Sequence, residues 1–165
     1  MVAFEADDLK AFTAGLFMQD TFDGFLLQEA SVTTFCTFSV DGRTSHGFFS
    51  DEELEEEKIE EYAAWKKARP FCFEMIRGKK LPVSFKIILR LSPGDTEKLI
   101  AEGSGPADLS ASSCFFLNIK YENGKLNCIS MASSNTFTRD RTVEHIWDEY
   151  AGKFFPAHGI AVRKI

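Results

Sequence analysis

The chain has 165 residues, 44% hydrophobic and 27% charged, with a formal net charge of −6. A chain of that length buries roughly 70% of its unfolded surface, so one core forms without disulfides or metals. No apolar run reaches the ~18 residues of a membrane span, and Met1–Asp8 is acidic rather than basic-then-apolar, so it is not expected to act as a secretory leader. The expectation is a single globular domain, residues 1–165, in the cytoplasm.

Seventeen phenylalanines point to an aromatic core, since burial is where most Phe resides. Cys36, Cys72, Cys114 and Cys128 form no C-x-x-C pair and lie among apolar residues, so they read as buried reduced thiols, with one or two disulfides as the alternative.

In chain order, Leu9, Phe12, Leu16 and Phe17 fall at helical spacing between Asp8 and Met18, with Asp7 or Asp8 as cap. Two strands are predicted next, Phe25 to Glu29 and Val32 to Val40. Asp41-Gly42 fits a two-residue hairpin turn returning through Arg43 to Phe49, which would set His46 opposite Thr37. Thr33, Thr34 and Thr37 read as solvent-side residues of a half-buried strand. Ser50 and Glu53 form a capping box that opens an acidic helix, whose second half gains an apolar side from Ile59, Tyr62, Ala63 and Trp65. Arg69-Pro70 is expected to interrupt it and to start a short, buried helix from Phe71 to Arg77, ended by Gly78.

Val83 to Ser92 alternates apolar and polar residues with only Ile88 out of step, a clear strand. Ser92-Pro93-Gly94-Asp95 starts a helix that stops at Gly103. Residues 103–113, rich in Gly, Ser, Pro and Ala, form a candidate mobile loop. Asn123-Gly124 is a hairpin turn that pairs Glu122 with Lys125, Tyr121 with Leu126, Ile119 with Cys128 and Phe116 with Met131. The closing helix carries Val143, Ile146, Trp147, Tyr150, Phe154 and Phe155 on one stripe, and residues 159–162 can add a last strand. Hairpins interspersed with helices argue for an α+β fold: a mainly antiparallel sheet with helices packed on it.

Most named catalytic motifs are excluded, which weighs little against enzymes in general. Gly103-Ser104-Gly105-Pro106 lacks the third glycine of a dinucleotide loop, and Gly78-Lys79 lacks both the upstream glycine and the following Ser/Thr of a Walker loop. Neither G-x-S-x-G nor H-E-x-x-H occurs. His145, with Asp148 and Glu149 three and four residues on, reads first as a solvated helix face, because a metal site needs further ligands. Glu29, if buried, would need a partner such as Arg43 or Arg69. No catalytic residue, metal or cofactor is assigned.

One feature is not needed to build a fold. Asp51 to Glu61 holds eight carboxylates against Lys58, and Lys66 to Lys80 holds six basic side chains against Glu74. A basic island in an acidic chain attracts an anionic neighbour. The pI near 5.1 and the adjoining carboxylates weigh against nucleic acid, whose binders are usually basic over a whole face. A protein partner, or pairing with the acidic helix itself, fits better.

Several segments together carry a resemblance: Asp8-Leu9-Lys10-Ala11-Phe12; Phe25 to Ala30 running through Thr33-Thr34-Phe35 to Asp41-Gly42-Arg43; and Trp65-Lys66-Lys67-Ala68-Arg69-Pro70-Phe71-Cys72-Phe73. Arg77-Gly78-Lys79-Lys80 leading into Ser84-Phe85-Lys86-Ile87, Phe116-Leu117-Asn118-Ile119 and Trp147-Asp148-Glu149 add to it. They resemble a small family, mostly of anaerobic gut bacteria, known only as a domain of unknown function. The resemblance implies an intracellular single-domain protein and transfers no catalytic residue.

The functional expectation is a non-catalytic binding or interaction module using the surface around Trp65, Arg69, Arg77, Lys79 and Lys80, with an acidic protein surface or a second copy as partner. The alternatives are a nucleic-acid binder using the same patch and an enzyme using His145, Asp148 or Glu29. No membrane partner is implied.

Overall fold

Strand alternation sets the architecture. In the computed structural model, which describes residues 1–165, strand β4 (Ser84–Arg90) buries Phe85, Ile87 and Leu89 and leaves Lys86, Ile88 and Arg90 half-buried. Ile88, the residue out of step in the pattern, therefore belongs to the less covered face. β4 lies inside a seven-stranded antiparallel sheet of order β3-β2-β4-β5-β6-β1-β7. Its other strands are β1 (Ala3–Ala6), β2 (Leu26–Thr33), β3 (Thr37–Asp41), β5 (Ser113–Glu122), β6 (Lys125–Ser134) and β7 (Val162–Lys164). The class is α+β, as expected.

Helices α1 (Leu9–Phe17) and α5 (Thr142–Ala157) seat aromatic rings on the buried face. Phe17 meets Phe85 edge-on at 5.3 Å, Trp147 stacks on Phe115 at 4.9 Å, and Phe155 packs on Phe4 at 5.4 Å. These rings join one cluster of 29 buried residues, which accounts for much of the phenylalanine content. Helices α2 (Asp51–Glu56), α3 (Trp65–Ile76) and α4 (Pro93–Glu102) complete the chain. No helix is long and apolar enough to cross a membrane.

Local signals work where side chain and turn act alone. Asp8 caps α1 by accepting from Ala11 N–H, Ser50 and Glu53 close the capping box of α2, and Ser92 caps α4. Asn123 and Gly124 both have positive φ, as the I′ turn requires, and the β5–β6 register matches the expected pairs residue for residue.

Other expectations are corrected. The chain does not turn at Asp41-Gly42. It turns at residues 34–36, so Thr33 faces Thr37, and the break expected between Glu29 and Val32 is continuous strand. Gly42 is instead buried against β2: a Cβ there would lie 1.8 Å from the Leu27 carbonyl oxygen. His46 opens a single 3₁₀ turn, not a strand. The acidic helix stops at Glu56, and the chain turns at Glu57, whose carbonyl accepts from Ile59 N–H, before Ala63 bonds to both Leu27 and Gly42.

Pro70 does not divide two helices, because α3 runs through it. The carbonyl that Pro70 leaves without an N–H is that of Lys66, an exposed residue in the first turn of α3. Nor is the Phe71–Arg77 segment buried all round, since Phe71 is 72% exposed while Cys72 is buried. Cys36 is exposed, against the expectation that every thiol is buried. Gly103 and Gly105 both press on α5, where a Cβ on either would come within 2.8 Å of Ile146. Their loop holds a 3₁₀ turn, Ala107–Leu109, and buries Leu109.

Candidate binding groove

α3 carries the basic block, and its helical geometry distributes those residues to different fates. Trp65, its first residue, is fully buried, and its indole Nε1 donates to the Leu16 carbonyl at 3.0 Å. It is a core residue that ties α3 to α1, which corrects its assignment to a surface. Arg69 makes a bidentate pair with Asp23, both contacts 3.0 Å, with only 17% and 16% of the two side chains exposed. This fork fixes α3 to the segment after α1 and leaves Arg69 little freedom for a ligand. Arg77, at the helix end, pairs with Glu74 at 3.1 Å, and both are exposed. Lys79 and Lys80 are exposed and make no ion pair.

Arg77 lines a groove, and Lys79 and Lys80 sit in the adjoining loop between its lining residues Gly78 and Leu81. Its floor is the stacked pair Phe85 and Tyr121, ring centroids 5.3 Å apart. One wall is α1 with Leu9, Thr13, Ala14 and Met18, and the other is the end of α3 with Phe73 and Ile76. Gly78, Leu81 and Pro82 of the connecting loop close one side, and Lys10 and Arg77 line the groove. The cavity volume is about 640 Å³. Leu81 is 80% exposed and Met18 is exposed as well, an unusual placement for large apolar side chains unless something covers them. Sequence reading missed this wall. The available signal was apolar residues just past element ends, Met18 after the first helix and Leu81 beside the two lysines.

Three smaller clefts differ in chemistry. One of about 470 Å³ gathers Asp20, Asp95, Glu102, Tyr150 and His158. Burial, then the Asp95 and Glu102 charges, raise the Tyr150 phenol above its ordinary range. A second of about 430 Å³ lies along β2 and β3 and includes Glu29 and Lys86. There Glu29 is exposed and pairs with Lys86 at 3.2 Å, not with Arg43 or Arg69. A third of about 340 Å³ lies beneath Phe48 and Phe49 and includes Glu57, Glu60 and Lys67.

The His/carboxylate set does not assemble. His145 is exposed, Asp148 accepts from Ser130 Oγ, and Glu149 pairs with Lys153 at 2.7 Å. Nowhere do three His, Cys, Asp or Glu side chains converge as metal ligands do.

What the fold and groove define is an α+β sheet protein with an apolar, cation-bordered surface groove. The chain belongs to the family described as Family of unknown function (DUF5721), whose model matches residues 15–163. No curated protein and no solved structure matches it.

Proposed function

We propose that this protein is a non-catalytic binding module and that the groove between α1 and the end of α3 is its binding site, taking an occupant that is apolar and anionic together. The observation that carries the reading is the pairing of an apolar cavity of about 640 Å³ with Lys10 and Arg77 in its lining and Lys79 and Lys80 on the adjoining loop. Apolar walls reward burial of hydrocarbon, at roughly 25 cal/mol per Å², and the cations select the sign of the flanking charge. The floor of Phe85 and Tyr121 favours a hydrophobic occupant over a phosphate backbone, whose charges would lose water against the ring faces without gaining hydrogen bonds there. Relative to the sequence expectation, the site loses Trp65 and Arg69 and keeps Arg77, Lys79 and Lys80.

The test uses anilinonaphthalene sulfonate, an apolar aromatic anion, titrated into isotopically labelled protein. Amide shifts are expected at residues 9–18 and 73–85. Met18→Glu, at an exposed position, should weaken the binding several-fold without affecting the fold. Shifts confined to other surfaces, or indifference to M18E, would sink the reading. So would shifts at these residues with a single-stranded oligonucleotide and none with the sulfonate.

A further inference from the structure

The chain carries its own candidate occupant. Between β3 and α3, residues 46–61 form an arm with no buried residue, which lies over a cleft against Leu26, Tyr62 and Lys67. Its helix α2 has no buried residue, and Phe48 beside it is 84% exposed. A six-residue helix is far below the length that holds itself in water, so α2 lacks the packing that normally sustains a helix. None of the eight carboxylates between Asp51 and Glu61 makes an ion pair with any side chain of its own copy. An apolar ring next to a run of carboxylates is the combination the groove is built to receive.

Within one copy the two do not meet. The arm is held at its base by Thr44 N–H to Glu61 O and Ala63 N–H to Gly42 O, at the start of α3. The groove lies at the other end of α3, about 16 Å away along Trp65–Ile76 at 1.5 Å per residue.

We propose that the acidic arm of one copy docks in the cation-bordered groove of the next, so that the protein associates with itself head to tail. The inference rests on the groove being the binding site. Arm and groove are different surfaces, so each contact leaves one free arm and one free groove, and association continues until a ring closes or a chain extends. Opposite charges steer the encounter and make it salt-sensitive.

Sedimentation velocity on the full chain tests this. At low ionic strength the mass is expected to rise with concentration above the monomer, and to fall back in about 1 M salt, where the screening length is ~3 Å. Glu52→Lys with Glu55→Lys spoils the arm, and Lys79→Glu with Lys80→Glu spoils the groove. All four positions are exposed, and each pair should weaken self-association by about tenfold or more. Mixed in equal amounts, the two variants should form a heterodimer and stop there, because one intact groove meets one intact arm. A wild type that stays monomeric at low salt and high concentration overturns the inference, as does a mixture that behaves like either variant alone. If the sulfonate still maps to the groove of the arm variant, only the self-association fails. If it does not, the binding site itself is wrong.

Discussion

Gly42→Ala is the sharpest test of how β2, β3 and the arm are joined. The new methyl would sit 1.8 Å from Leu27 O, 2.5 Å from Leu27 C and 2.9 Å from Gln28 O, all main-chain atoms that cannot rotate away. Relief requires the strands to part by over an ångström, at a site where Gly42 N–H donates to Gln28 O at 3.0 Å and Ala63 N–H donates to Gly42 O at 2.7 Å. Overpacking of this kind costs ~1–3 kcal/mol, and each weakened hydrogen bond adds ~1 kcal/mol. The total, about 3–5 kcal/mol, is a large part of the ~5–15 kcal/mol that holds a domain folded. At ~2–4 °C per kcal/mol for a chain of this size, the melting temperature should fall by roughly 10 °C. Calorimetry beside Gly47→Ala provides the measurement, because nothing lies within 4 Å of a Cβ at Gly47. If G42A melts with that control, the close approach of Gly42 to β2 does not exist, and Asp41-Gly42 reverts to an ordinary turn.

Two further outcomes can be checked on the same material. Removing Arg69 leaves the Asp23 carboxylate less than a fifth exposed and unpaired, so Arg69→Leu should cost about 2 kcal/mol, and a double-mutant cycle with Asp23→Leu should recover part of it. Thiol reagents should titrate exposed Cys36 at once in the native protein, whereas buried Cys72 and Cys128 should wait for unfolding; prompt labelling of Cys128 would contradict the core packing. Burial pushes the Cys72 thiol up to about 11 from 9.0 and raises Cys128 as well. The unfolded chain thus releases these protons first: the stability they contribute is intact below pH 9 and is lost as pH rises, at up to ~1.4 kcal/mol per pH unit per thiol. Urea titrations at stepped alkaline pH should show that slope, and Cys128→Ala should make it shallower.

How far the sequence spoke for the fold depended on whether a signal needed distant partners. The Asn123-Gly124 hairpin, the Ser50–Glu53 box and the Ser92 cap are complete within four residues, and each appears as read. Asp41-Gly42 has the same local grammar as Asn123-Gly124. There the glycine is required by a carbonyl far upstream in the chain, at Leu27, and no local rule contains that contact. Pro70 fails for a similar reason: whether a proline breaks a helix depends on the surroundings of the orphaned carbonyl, and that carbonyl belongs to Lys66, an exposed residue of the first turn. In the site, charge was legible and depth was not. Trp65 and Arg69 looked like surface residues because they sit among lysines. Helical periodicity alone could not decide which side of α3 met α1, and the Leu16 carbonyl and Asp23 decide it.

The same distinction bears on the charged blocks themselves. Adjacent in sequence, they invite the expectation that the acidic helix pairs with the basic one. Yet the extended segment before α3 is bonded to both Leu27 and Gly42, which leaves the acidic arm at one end of α3. Burial of Trp65 then orients the helix so that Arg77, Lys79 and Lys80 emerge at the other end. The cations of the block that do find partners, Arg69 and Arg77, use Asp23 and Glu74, neither of which belongs to the acidic run. Eight carboxylates crowded on a short arm repel one another, and that repulsion opposes the compact state unless opposite charge is brought near. Of the block's exposed lysines, Lys67 lines a cleft with Glu57 and Glu60 without forming an ion pair, whereas Lys79 and Lys80 lie beyond the far end of α3, so the proposed docking would supply the run with further opposite charge. The groove bordered by those lysines is the surface on this same chain with the matching sign and an apolar floor.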